Sequence, residues 1–116
     1  MPEMPGAKEV DDYIAGSTPI ARPIEMTLRQ LLKDTWPDAN ETVVNEVPTY
    51  QLQDKSVAYG VDNDKERVVV TLSETLPDKV ISEADRMGYE TDAQHLYVGY
   101  NQPVPLNMMR NLLTEL

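Results

Sequence analysis

The chain contains no cysteine, no phenylalanine and a single histidine in 116 residues. Without cysteine there can be no disulfide, thiolate nucleophile, zinc ribbon or cysteine-ligated iron–sulfur cluster. One histidine, His95, rules out every metal motif built on two. For His95 to act as a general base it needs an orienting carboxylate, and the sequence identifies none. The expectation is an ordinary strand histidine of intermediate burial. Glycine is scarce, at five residues, and there is neither a glycine-rich phosphate loop nor a G-x-S-x-G elbow. No nucleophile–base pair can be named, so the chain is not expected to be an enzyme.

Positive charge is the next shortage. Ten basic residues face 20 acidic ones, for a net charge of −10. Nucleic-acid binding draws most of its affinity from neutralising phosphates, and here Lys and Arg are scattered singly in an acidic chain. Nucleic acid is therefore excluded as a partner. The same surface suits solubility, a protein partner with a basic surface, or hard cations. No run approaches the roughly 20 apolar residues of a membrane helix, and the opening residues lack a signal-peptide layout. With cysteine absent as well, the expected setting is the cytoplasm and no membrane. Residues 1–7 read as a polar lead-in and residues 8–116 as one domain.

What is present is a change of period along the chain. Val10, Tyr13 and Ile14 share a helical face that Gly16 closes. Ile20, Ile24, Leu28, Leu31 and Leu32 form the strongest helical stripe, with Pro23 either opening that helix or kinking it. Pro37 then bars continuation. From Glu41 the residues turn β-rich: a strand running to Val47 and ended by Pro48, then a hairpin turning at Asp54 and Lys55. Three successive valines, 68–70, suggest a central strand covered on both faces. A helix over 77–87, a strand over 95–100 and a helix opened by Pro105 complete the order. Strands joined by short turns imply an α+β fold, with a mainly antiparallel sheet of four to five strands and helices packed against it.

Two sets of residues could carry function. Asp34 and Asp38 at a helix end, with Glu41 close behind, could offer converging oxygens to a hard cation. The plainer reading is acids that cap helices and turns, as for Asp62 and Asp64. The second set is a cleft. Pro48 interrupts a ladder, and Asn45, Tyr50, Tyr59 and Arg67 on neighbouring strands would surround the gap with an amide, phenols and a fixed cation. Such a cleft would hold a small polar or anionic molecule.

The order of motifs resembles a known family. Asp11-Asp12-Tyr13-Ile14-Ala15, a helix ending Leu31-Leu32, Trp36-Pro37-Asp38-Ala39-Asn40-Glu41-Thr42, and Val47-Pro48-Thr49-Tyr50 are similar to the opening half of YdhG-like domains. Gln102-Pro103-Val104-Pro105-Leu106 resembles the family's close before a terminal helix. The likeness spans nearly all of residues 8–116. It implies a frataxin-like outline, with helices on one side of a curved antiparallel sheet, and points to a branch described as an iron chaperone. Two departures stand out. Asn45 and Glu46 replace an aromatic residue and a glycine, and Lys65-Glu66-Arg67 lacks the family's histidine. The functional expectation is a non-catalytic binding or interaction domain, with iron or metal delivery as its most concrete form. The alternative is small-molecule binding in the cleft near Pro48.

Overall fold

The computed structural model describes residues 5–115. Four helices and six strands run α1 (Pro5–Gly16), α2 (Arg22–Thr35), β1 (Asn40–Val44), β2 (Val47–Leu52), β3 (Lys55–Asp62), β4 (Arg67–Leu72), α3 (Asp78–Met87), β5 (Glu90–Thr91), β6 (His95–Gly99) and α4 (Leu106–Glu115). The strands form one sheet in the order β1-β2-β3-β4-β6-β5, antiparallel throughout. This is the expected α+β architecture with one strand more than anticipated. The addition is β5, two residues long and too short to show a period of its own.

The helices follow from punctuation and stripe. α2 begins at Arg22, with Pro23 in its first turn, where a missing N–H costs nothing. It buries Ile24, Leu28, Leu31 and Leu32 against the sheet, while Ile20 lies ahead of the helix and is exposed. Its last turn is tied to α4, since the Trp36 indole Nε1–H donates to Leu113 O at 3.1 Å. α3 stops where Gly88 takes φ 89°, a left-handed conformation that glycine adopts without strain. α1 starts at Pro5, earlier than the expected lead-in allows; the rest of that lead-in, residues 1–4, lies outside the described residues.

The sheet has one covered face. Burial alternates along β4 and β6, so that Val68, Val70, Leu72, Leu96 and Val98 are buried while their neighbours are partly exposed. Val69 is only partly buried, so the valine run marks a strand covered on one side rather than both. Registers place Glu41, Tyr50, Val57, Leu72 and Leu96 on the covered face. Arg67, Tyr97 and His95 fall on the other.

Two turns differ from the sequence reading. The expected strand to Val47 is broken by a two-residue turn, Asn45 and Glu46, with φ 51° and 69°. Positive φ at both central residues gives the twist a tight hairpin needs. Pro48 therefore lies inside β2, opposite Val43, instead of ending a strand. The next hairpin turns one residue early, with Gln53 at φ 58°. Pro48 offers no N–H to β3, and the β2–β3 ladder runs only as far as Thr49 opposite Ala58. The expected lapse in the ladder is real, and a side chain fills it. The Tyr13 hydroxyl reaches in from α1 and accepts the Val61 N–H at 3.1 Å.

Candidate functional site

The covered face carries a half-buried polar cluster. Glu41 on β1 receives Arg29 of α2 in a two-pronged pair, Nε to Oε2 at 2.8 Å and a terminal nitrogen to Oε1 at 2.9 Å. The Tyr50 hydroxyl donates to the same carboxylate, and Arg29 also pairs with Asp11 of α1. Burial opposes the charge on Glu41, but the hydrogen bonds from Arg29 and Tyr50 prevail and hold its pKa below the usual range. Tyr59 stacks on Tyr50 with ring centroids 6.1 Å apart, and its buried hydroxyl has no hydrogen-bond partner. Every oxygen of Glu41 is thus committed to groups of the protein itself, which makes this cluster a structural joint.

The open face carries a different constellation at its β4–β6 end. Asp92, in the turn before β6, accepts the Gln94 N–H and lies 2.6 Å from His95 Nδ1. Its other oxygen accepts the Tyr97 hydroxyl at 2.6 Å. Hydrogen bonds from Tyr97 and His95 push the Asp92 pKa down to about 2, and the same bond raises that of the Tyr97 phenol. His95 and Tyr97 alternate with the buried Leu96 and stack at 6.0 Å. The Arg67 guanidinium sits over the Tyr97 ring, 3.9 Å from its centroid, and bonds Glu90 at 2.8 Å. Guanidinium, phenol and imidazole thus gather around the Tyr97 ring on the open face of the sheet. A shallow cleft of about 370 Å³ adjoins it, lined by Lys65, Arg67, Glu90, Tyr97 and Gln102 among others.

The residues expected from the sequence are distributed otherwise. Asn45 is exposed at a hairpin tip, while Tyr50 and Tyr59 are buried under the helices and Pro48 beside them. Arg67 is on the opposite face, because its register opposite Asp62 and Gly99 sets it out of phase with Val68 and Val70. The five do not converge on a cleft. Asp34 accepts a hydrogen bond from Gln30 at the surface, Asp38 is exposed, and Glu41 is half-buried against Arg29. These acids share no ligand point, and among the described residues no three His, Asp or Glu side chains do. The orienting carboxylate that His95 lacked in the sequence is Asp92. Its signal was local: an acid three residues before the histidine, with Tyr97 on the same strand face.

No family model matches the chain, and no curated protein matches it. Among solved structures it is similar to a Bacillus subtilis protein of the DUF1801 family, YdhG. The TM-score is 0.74 at 18% identity, over 93% of this chain and 87% of that one. The YdhG-like fold suggested by the motifs is the fold observed. No helix among the described residues is long and apolar enough to cross a membrane.

Proposed function

We propose that the chain is a non-catalytic binding module working through its uncovered sheet face, with a hard metal ion such as ferric iron as cargo. One observation carries this reading: a single exposed carboxylate, Asp92, holds an imidazole and a phenol on the same rim. Carboxylate oxygen, imidazole nitrogen and phenolate oxygen are a donor set that suits iron better than soft metals. The ion would displace the two hydrogen bonds and take one oxygen of Asp92, His95 Nδ1 and the Tyr97 oxygen, leaving further positions to water. Three donors imply weak holding, as delivery requires, and affinity should rise with pH because the phenol must lose its proton. Handover would use the same face, and the chain's net charge of −10 suits a basic partner surface.

Titration of the protein with ferric iron, supplied as a weak chelate, tests the reading. A saturable visible band from phenolate-to-iron charge transfer should appear, vanish in Tyr97→Phe and weaken in Asp92→Asn. Absence of both band and heat, with ferric iron in air and ferrous iron without it, removes the metal.

A further inference from the structure

Glu25 of α2 is fully buried, yet one of its oxygens, Oε2, has no hydrogen-bond partner. Its other oxygen lies 3.1 Å from the Ser17 hydroxyl, which is itself 2.9 Å from the Tyr13 carbonyl. A serine hydroxyl has one proton. The Ser17 N–H is already spent on Ile14 O, so the Tyr13 carbonyl at the end of α1 relies on that hydroxyl. Ser17 can serve both contacts only if Glu25 is a protonated acid that donates to Ser17 Oγ.

The charges around Glu25 agree. Burial is the dominant influence and pushes its pKa up to about 7, against the Ser17 contact and the more distant Arg22 cation. The other titratable groups acting on this region are phenols: Tyr13 from α1, Tyr59 from β3 and Tyr100 from the segment after β6. All three are raised above the ordinary phenol value, so all stay neutral near pH 7.

This joint holds a separable element. Among the described side chains of α1, the buried Val10 and Ile14 lie outside the main core cluster. Several of its other ties are polar: Tyr13 into the β2–β3 gap, Asp11 on Arg29, and the Arg22 guanidinium on the Ala15 carbonyl at the end of α1 and on the Ser17 carbonyl just beyond it. We infer that α1 is a detachable clasp over β1 and β2, closed while Glu25 is protonated and released when that carboxyl ionises. Ionisation sets the Tyr13 carbonyl and the carboxylate in competition for one serine proton, beside a second oxygen with no partner. The clasp is then the first part of the fold to open, uncovering the Val61 N–H and one side of Arg29. Its failure would leave the metal reading untouched, because Asp92, His95 and Tyr97 lie on the other face.

Carbon-13 NMR of the carboxyl groups in the full chain, together with amide exchange, tests this directly. The Glu25 signal, assigned by its loss in Glu25→Gln, should titrate near neutrality. Protection factors of α1 amides, corrected for intrinsic rates, should fall about tenfold between about pH 5.5 and about pH 8.5. Those of β3 and β4 should hold. In Glu25→Gln, whose amide keeps a donor for Ser17, α1 should stay protected throughout. A Glu25 carboxyl already ionised at about pH 5.5, α1 protection that does not change with pH, or an equal fall in Glu25→Gln overturns the inference. If the variant does not fold, the native titration decides alone.

Discussion

Glu25 on α2 and Glu41 on β1 respond to pH in opposite directions. Glu41 has its pKa held below the ordinary carboxyl value of 4.5, so it binds fewer protons folded than unfolded. Its stabilisation is complete above about pH 4.5 and drains away as pH falls through the folded pKa. For Glu25 the folded pKa is raised to about 7, so folding is opposed increasingly from about pH 4.5 upward and fully above 7. Between them these two carboxyls favour mildly acidic conditions. Glu41→Gln isolates the first effect. At neutral pH it leaves the Arg29 guanidinium, whose side chain is 15% exposed, without its main counter-charge. The loss should stay below the roughly 3–5 kcal/mol of a fully broken buried pair, because Asp11 remains on Arg29. Urea midpoints of native and variant chains should therefore differ most near pH 7 and converge as pH drops below about 4.5. A gap independent of pH would mean that the pair contributes shape rather than charge.

At the scale of elements, what was legible in the sequence depended on length and period. α2 could be read because Ile24, Leu28, Leu31 and Leu32 repeat over several turns, and all four are buried. β5 could not, since two residues have no period. The β1–β2 hairpin was misread because Asn45-Glu46 lacks the glycine that announces such a turn, so Thr42 to Val47 looked like one strand. That error set Asn45 on a strand and drew Pro48, Tyr50, Tyr59 and Arg67 into one imagined cleft. The Arg29–Glu41 pair joins residues whose meeting depends on the packing of α2 over β1, and no local pattern signals it. Asp92–His95–Tyr97, by contrast, was within reach, because a short turn and a strand's alternation suffice to assemble it. The hairpin itself offers a test. Glu46 holds φ 69°, where a side chain costs roughly 1–2 kcal/mol. Glu46→Gly should raise stability by about 0.5–1 kcal/mol after glycine's own entropy is counted. Asn45→Gly should do less, since asparagine tolerates this region. Denaturant melts with unchanged slopes would measure both.

Across the whole molecule, charge is the term that neither core nor hairpin controls. The chain carries a net charge of −10, and its described residues span principal extents of 43 × 31 × 22 Å. At about 0.01 M salt the screening length is roughly 30 Å, so nearly every acid repels every other. At about 0.3 M salt it shrinks to less than about 8 Å, and only neighbours interact. Folding concentrates these charges, so self-repulsion weighs on the compact state more than on the open chain. Salt also weakens attractive pairs, but the exposed ones here, such as Lys8–Asp12 and Lys79–Glu115, contribute at most about 1 kcal/mol each. The pair that matters, Arg29–Glu41, has side chains only 15% and 11% exposed and is screened far less. Repulsion is therefore the larger quantity that salt removes. The thermal midpoint at pH 7 should rise as sodium chloride goes from about 0.01 to about 0.3 M, with most of the gain below about 0.1 M, where the screening length changes most. A midpoint that falls over this range would show that surface ion pairs outweigh the excess of acids.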